Sequence, residues 1–239
     1  MTPIVMVHGF LGGSRQWGRQ LDAFGESELI TLDLPGFGEN ASMDALESIQ
    51  DYAQWVLGEL DKNGVENFHL LGHSMGGMVA QEIVSMAPER IDHLVLYGTG
   101  PTGLLPGRFE SIETSIQRAN ADGAQATARR IAATWFLKET KAEAYSECAE
   151  IAEQTNLRAI LAGLKSMQDW SGLERLNDIR TKTLVIWGDQ DRTYPWSQTE
   201  RLWTSISGAN LAVVPNSAHA THLEKPIIFN NLVRDFISS

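Results

Sequence analysis

The stretch that decides the fold reads FHLLGHSMGGMVAQEIV and spans positions 68–84. It opens with a short apolar run, which is typical of a strand buried on both faces. A helical spacing of apolar residues begins directly afterwards at Met75, and Ser74 stands at the junction. Gly72 and Gly76 keep side chains out of the turn between the two elements. A glycine-rich turn with a capping serine would also use these residues, but the strand–turn–helix context predicts a nucleophile elbow that lifts Ser74 above the sheet.

Similar apolar runs alternate with amphipathic helical segments along most of the chain. The runs lie at 4–7, 28–33, 68–71, 94–97, 183–187 and 211–214. Strands that alternate with helices pair in parallel and are covered by those helices on both faces. The pattern therefore predicts an α/β fold with a mostly parallel sheet of about six strands, flanked by helices.

The alternation stops between positions 101 and 178, a region we call the helical insertion. It is rich in alanine, glutamate and arginine, with helical runs at 125–136 and 142–163 and no clear strand. We expect it to form an all-helical cap over one edge of the sheet. The core would then consist of residues 1–100 and 179–239, in a single folded unit with the cap.

Composition restricts the class of partner. The 239-residue chain has a formal net charge of −11, which argues against a nucleic acid or an anionic membrane as the main partner. Cys148 is the only cysteine, so an internal disulfide and a cysteine metal cluster are both excluded. The chain begins without a signal-peptide pattern, and no apolar stretch approaches the roughly 18 to 20 residues of a membrane span. We expect a soluble, cytoplasmic protein.

A serine hydroxyl becomes a good nucleophile only when a base removes its proton and another group orients that base. In this topology the acid and the histidine should follow the serine in that order. Asp189 and Asp191 follow one predicted strand, and His219 and His222 follow the next. The residues alone leave both choices open. A metal site at the two histidines is a poor alternative, because no third ligand has a suitable spacing.

Four motifs together resemble the α/β-hydrolase superfamily, over nearly the whole chain outside the helical insertion. They are HGF at 8–10, DLPGFG at 33–38, GDQD at 188–191 and HATHLEKP at 219–226. The resemblance implies the α/β-hydrolase fold with a helical cap. It also implies that the chemistry needs no cofactor.

The resemblance assigns roles to individual residues. It implies Ser74 as the nucleophile, His219 as the base and Asp191 as the acid, so that Asp189 is left as a turn-forming residue. It implies that the backbone N–H groups of Phe10 and Met75 form an oxyanion hole. In this scheme His222 is a structural or cap-facing residue.

Further side chains are candidates for the wall of a substrate pocket or for ordinary packing. The pocket candidates are His8, His73, Trp135, Trp170, Trp196 and His222. Apolar residues of the helical insertion would line the pocket or form its own core: Leu104, Leu105, Trp135, Phe136, Leu161, Leu164, Met167 and Trp170. Arg108, Arg129 or Arg130 would meet a substrate carboxylate or simply cover a solvated helix face.

The sequence of the elbow limits the reactions that the protein could catalyse. Relatives with an aspartate nucleophile, such as haloalkane dehalogenases and epoxide hydrolases, are excluded by Ser74. The G-H-S-M-G-G elbow resembles that of esterases, which favours hydrolysis of a carboxylic ester in a small-molecule substrate. Carbon–carbon bond hydrolysis of ring-cleavage dienones and enol-lactone hydrolysis remain alternatives that use the same three residues. A non-catalytic binding protein of the same fold is a further alternative, against which the filled catalytic positions argue.

Overall fold

A computed structural model describes residues 2–25, 28–104 and 106–239. Within these ranges the six strands are β1 Ile4–Val7, β2 Leu29–Leu32, β3 Phe68–His73, β4 Ile91–Tyr97, β5 Lys182–Gly188 and β6 Asn210–Val214. All neighbouring strands are parallel, in the order β2-β1-β3-β4-β5-β6. The predicted parallel sheet of about six strands is confirmed. The carboxyl ends of the strands therefore meet at one edge.

Helices cover the sheet and fill the helical insertion. They are α1 Gly18–Phe24, α2 Ile49–Lys62, α3 Met75–Met86, α4 Ile112–Asp122, α5 Ala124–Ala133, α6 Tyr145–Ala152, α7 Leu157–Gln168, α8 Trp196–Ser205, α9 Thr221–Glu224 and α10 Pro226–Ile237. Short 3₁₀ turns lie at Ser14–Trp17, Gly38–Asn40, Pro88–Arg90, Glu139–Lys141 and Leu173–Asp178. Of the helices in the described ranges, none is long and apolar enough to cross a membrane.

The two faces of the sheet belong to two separate apolar layers. On β1, Val5 and Val7 pack in the layer that contains buried residues of α2 and α3. Ile4 and Met6 point to the opposite face and pack with buried residues of α1 and α10. Successive side chains of a strand alternate between faces, so covering both faces requires an uninterrupted apolar run. This explains why the strands were visible in the sequence.

The helical insertion departs from the predicted helical runs in two places. The run at 142–163 is divided into α6 and α7, because Asn156 caps α7 and its side chain accepts a hydrogen bond from Ala159 N at 2.9 Å. An N-cap residue has extended backbone, so one continuous helix cannot pass through it. Helix α4 was not predicted, and it begins at a similar cap in which Ser111 accepts from Thr114 N at 3.0 Å.

A buried carboxylate joins the end of the helical insertion to the core. Glu82 of α3 accepts hydrogen bonds from Trp170 Nε1 at 2.7 Å and from Arg175 Nη1 at 3.1 Å. A buried carboxylate is tolerated only when it is paired and hydrogen-bonded, and both conditions are met here. The contact ties the last part of the insertion to the helix that begins at Ser74.

Candidate active site

Ser74 occupies the turn between β3 and α3 in a left-handed conformation, with φ 56° and ψ −120°. A non-glycine residue in such a conformation costs about 1–3 kcal/mol and persists only where its surroundings hold it. A Cβ added to Gly72 would lie 2.3 Å from the Gly76 carbonyl oxygen, and one added to Gly76 would lie 2.2 Å from that of Val7. The glycines of the predicted elbow are thus sterically required, and the turn presents Ser74 at the carboxyl edge of the sheet.

The turn after β5 and the loop after β6 bring an aspartate and a histidine together. Asp191 Oδ2 lies 2.9 Å from His219 Nδ1. The other carboxylate oxygen, Oδ1, accepts the backbone N–H groups of Thr193 at 2.7 Å and Tyr194 at 3.0 Å. These donors fix the carboxylate, which in turn orients the imidazole and leaves Nε2 free to take a proton. Asp189 instead accepts the N–H of Ser217 at 3.3 Å and is half-exposed.

Ser74 and His219 line one narrow cavity of about 20 Å³ between the core and the helical insertion. No hydrogen bond joins the Ser74 hydroxyl to His219 within the described chain. Catalytic hydrogen bonds are often long before substrate binds and shorten in the complex. The cavity volume of about 20 Å³ accommodates about one water molecule.

Two backbone N–H groups lie beside Ser74 and donate to no acceptor in the described parts of the chain, those of Phe10 and Met75. Met75 is the first residue of α3, where unpaired N–H groups and the helix dipole favour negative charge. The segment before Phe10 packs tightly on the nucleophile, since a Cβ added to Gly9 would lie 2.8 Å from Ser74 Cβ. The Phe10 ring also lines the cavity. These two amides can stabilise an oxyanion that forms at Ser74.

Comparison with known proteins identifies the family of this chain. A model of the alpha/beta hydrolase family matches residues 4–231. The chain belongs to the alpha/beta hydrolase family. The resemblance inferred from the sequence motifs is thus confirmed.

Relatives of this alpha/beta hydrolase include enzymes that act on small molecules. The 2-hydroxy-6-oxononadienedioate/2-hydroxy-6-oxononatrienedioate hydrolase of Paraburkholderia phymatum is 30% identical, over 98% of this chain and 86% of that protein. Two solved structures share the fold at 20% identity, each covering 100% of this chain and 92% of the other. They are an enol-lactonase from Burkholderia xenovorans, with a TM-score of 0.89, and an esterase from Exiguobacterium antarcticum, with a TM-score of 0.90. The protein is therefore a hydrolase.

His8 supports the loop that carries Phe10. Its Nε2 accepts the backbone N–H of Leu34 at 2.9 Å, so its Nδ1 donates to the Gly9 carbonyl at 2.8 Å. Burial lowers the pKa of His8, which keeps the ring in this neutral form. The ring connects the end of β1 to the end of β2 beneath the candidate oxyanion hole, and it is absent from the cavity wall.

His73 and His222 lie behind the candidate base. His73 Nε2 donates to the His219 carbonyl at 3.1 Å, and its ring stacks on Tyr97 with centroids 4.5 Å apart. Burial, with added repulsion from His219 and His222, holds the pKa of His73 well below its usual range. Burial, with repulsion from His219 and Arg19, lowers the pKa of His222 to about 3. Both rings are therefore neutral at physiological pH.

Of the six side chains predicted to face the pocket, Trp135 lines the cavity. Trp170 instead uses its Nε1 to bind Glu82, and Trp196 packs on Trp187 with ring centroids 5.3 Å apart. His8, His73 and His222 are buried and make the contacts within the protein described above. These five side chains therefore do not line the cavity, because each is held by a partner elsewhere within the protein.

The predicted apolar wall is only partly formed by the residues named from the sequence. Met167 and Trp135 line the cavity, whereas Leu104 is exposed and Leu105 lies outside the described residues. Three further apolar residues of the insertion that were not predicted also line it: Phe109, Ile112 and Ile131. Amphipathic spacing identifies the buried face of a helix, but it does not separate the part facing a cavity from the part facing another helix.

Two tyrosines around His219 were not identified from the sequence. The hydroxyl of Tyr97 donates to the His219 carbonyl at 2.7 Å. The ring of Tyr194 stacks on the His219 ring, with centroids 5.7 Å apart and an interplanar angle of 15°. Tyr97 ends β4 and Tyr194 follows the acid turn after β5, so both occupy the carboxyl edge where open α/β sheets gather their sites. Their positions at or shortly after the carboxyl ends of predicted strands were the sequence feature that could have identified them as site residues.

Proposed function

We propose that this hydrolase cleaves carboxylic esters of small molecules through an acyl-enzyme on Ser74. His219 is the general base, and Asp191 orients it. One observation carries the proposal: the strained Ser74 shares a cavity with His219, whose Nδ1 is bound by Asp191 at 2.9 Å. A serine on a sharp turn with an oriented histidine beside it is the arrangement needed for acyl transfer.

In the acylation step, Ser74 Oγ attacks the ester carbonyl carbon while His219 Nε2 takes the hydroxyl proton. Asp191 stabilises the positive imidazole that results. The carbonyl oxygen becomes an oxyanion, and the N–H groups of Phe10 and Met75 stabilise it by about 3 kcal/mol each. Collapse of the intermediate breaks the ester C–O bond. His219 returns the proton to the leaving alcohol, and Ser74 is left acylated.

Deacylation reverses these roles with water as the nucleophile. His219 removes a proton from the water as its oxygen attacks the acyl carbon. The same two amides stabilise the second oxyanion. Release of the carboxylic acid restores the Ser74 hydroxyl, so neither a metal nor an organic cofactor enters the balance of the reaction.

A second candidate is hydrolysis of a carbon–carbon bond with the same three residues. It is favoured by the hydrolase of Paraburkholderia phymatum, whose name denotes a 2-hydroxy-6-oxo dienedioate substrate and which is 30% identical to this chain. The bond cleaved in that case lies beside a ketone. Both reactions need an oxyanion hole and a histidine that moves protons, so only turnover separates them.

The test uses initial rates on p-nitrophenyl esters from acetyl to dodecanoyl, beside one ring-cleavage dienone acid. Ser74→Ala should reduce ester turnover by on the order of 10³-fold or more and abolish labelling by a fluorophosphonate. Ser85→Ala is the matched control. Ser85 is on the helix that follows Ser74, and its hydroxyl only donates a hydrogen bond to the Gln81 carbonyl at 2.9 Å. It should retain both properties.

The outcomes separate the candidates. Serine-dependent turnover of short or medium esters supports the esterase, whereas turnover of the dienone with near silence on esters supports the carbon–carbon hydrolase. A folded protein that neither turns over these substrates nor reacts with a fluorophosphonate would be a binding protein. Labelling that survives in Ser74→Ala would reject Ser74 as the nucleophile.

A further inference from the structure

Arg108 brings a positive charge to the cavity above Ser74. The helical insertion contributes an otherwise apolar wall to this cavity, with Phe109, Ile112, Ile131, Trp135 and Met167. Arg108 is the only lysine or arginine among the described residues that line it. The side chain is half-buried. A cation beside a nucleophile and an apolar wall is the arrangement expected of a site for an amphipathic anion.

The other arginines of the helical insertion are paired with carboxylates. The pairs are Arg118 and Arg130 with Glu110, Arg129 with Glu153, Arg158 with Asp44 and Arg175 with Glu82. Within the described parts of the chain, no carboxylate lies within 4.0 Å of the Arg108 guanidinium. The pairing also distinguishes the three arginines considered from the sequence. Arg129 and Arg130 are paired with carboxylates, whereas Arg108 has no carboxylate partner among the described residues.

The acidic groups near Arg108 already bind other side chains. Glu110 binds Arg118, Arg130 and the Ser115 hydroxyl, and Asp191 binds His219. Tyr194 also lines the cavity, and burial raises the pKa of its hydroxyl to about 12, so it is not a phenolate at physiological pH. Among the residues that the structure describes, no nearby anion is therefore free to pair with Arg108.

The guanidinium is held in place yet keeps donors free. Arg108 Nη1 donates to the Glu110 carbonyl at 3.0 Å and to Ser115 Oγ at 3.3 Å, and the group lies over the Phe109 ring, 4.3 Å from its centroid. Its remaining N–H groups donate to nothing in the described chain. Burial lowers the pKa of Arg108, and this effect outweighs the attraction of nearby Tyr194 and Glu110.

We infer that Arg108 binds a carboxylate of the substrate, so that the preferred substrates are acyl compounds that carry a free carboxylate as well as the scissile carbonyl. The planar guanidinium forms two parallel hydrogen bonds with a carboxylate, and such charge-assisted pairs are strong where water is excluded. The inference rests on the proposed function for the identity of the scissile group. The anion site itself is independent of that proposal.

The first test compares two esters of equal chain length, 4-nitrophenyl hydrogen adipate and 4-nitrophenyl hexanoate. The wild-type enzyme should prefer the adipate ester in kcat/KM. Arg108→Gln should lower the ratio of kcat/KM for adipate over hexanoate by on the order of 10- to 100-fold, mainly through KM. Arg108→Lys keeps the charge without the planar fork and should recover part of the ratio. Arg158→Gln, which removes an exposed paired arginine, should leave the ratio unchanged.

The second test measures binding without turnover. Free adipate should raise the Tm of the wild-type chain and of Ser74→Ala, but it should not raise the Tm of Arg108→Gln. If adipate stabilises the protein through Arg108 while no ester is hydrolysed, the anion site stands and the proposed ester chemistry fails. If Arg108→Gln lowers kcat/KM equally for both esters and adipate still raises its Tm, Arg108 only supports the loop and the inference is overturned.

Discussion

The hydroxyl of Tyr97, at the end of β4, donates a hydrogen bond to the carbonyl oxygen of His219 at 2.7 Å. The same hydroxyl accepts the backbone N–H of His222 at 3.2 Å. Tyr97 is fully buried, so water cannot replace these bonds if the hydroxyl is lost. A strand of the sheet thus holds the loop that carries the candidate base, and Tyr97 is a positioning residue.

Tyr97→Phe should therefore lower kcat by on the order of 10-fold while KM changes little, because the loop loses a buried hydrogen bond and His219 is less well oriented. Steady-state kinetics on the best ester measure both constants. Tyr145→Phe is a suitable control, since that hydroxyl makes one exposed contact of 3.4 Å. An equal kcat in wild type and Tyr97→Phe would assign the tyrosine to packing alone.

The two histidines at the carboxyl edge should differ sharply in function. His219→Gln should lower kcat/KM by on the order of 10³-fold or more, because the general base is lost. His222→Gln should retain much of the activity, because His222 contacts the Tyr97 hydroxyl and the Trp17 ring rather than the cavity. Ester hydrolysis by the two purified variants, with thermal melts to verify folding, gives the comparison. Equal losses in both would contradict the assignment of the base.

Asp189 and Asp191, the two aspartates in the turn after β5, should also differ sharply in function. Asp191→Asn places an amide where the carboxylate accepts His219 Nδ1–H and two backbone N–H groups, so a donor must face a donor or the imidazole must change tautomer. We expect kcat to fall by on the order of 10³- to 10⁴-fold. Asp189→Asn should cost much less, because it disturbs one backbone contact of 3.3 Å. A larger loss in Asp189→Asn would reassign the acid.

Cys148 should be chemically inert in the folded protein. The side chain is buried in the helical insertion, and burial raises the pKa of its thiol to about 12, so little reactive thiolate forms at neutral pH. An Ellman titration should detect almost no thiol in the native protein and one equivalent in urea. Iodoacetamide should leave ester hydrolysis unchanged. Full reaction of the native protein, absent in Cys148→Ser, would show that this part of the insertion opens readily.

The folded protein should lose stability in mild acid through His222. Its pKa falls from 6.5 to about 3 on folding, so between these values the unfolded chain binds a proton that the folded chain does not. The free energy of unfolding therefore decreases as the pH falls from about 6.5 towards 3. His222→Asn should flatten this decrease by up to about 1.4 kcal/mol per pH unit. Urea unfolding at several pH values measures the slopes, and parallel curves would exclude this contribution.

Much of the core could be predicted because its signals are local. The strands are short apolar runs, since both faces of the sheet are covered. The elbow around Ser74 is recognisable within five residues, although Gly76 is required by its contact with Val7 of the neighbouring strand β1. The helical insertion was harder, because its helix boundaries depend on individual caps such as Asn156 rather than on composition. Which residues of the helical insertion face the cavity depends on how its helices pack against one another.

The sequence by itself determined the positions of the strands along the chain and the strained turn at Ser74. It also determined the two loops that hold the acid and base candidates. Only the tertiary structure decided that Asp191 faces His219 and that Tyr97 holds the loop of His219. It also decided that Arg108 lines the cavity with no carboxylate partner in the described part of the chain. The physical reason is distance along the chain. A turn is specified by neighbouring residues, whereas a hydrogen bond or an unpaired charge depends on groups that meet only when the whole chain has folded.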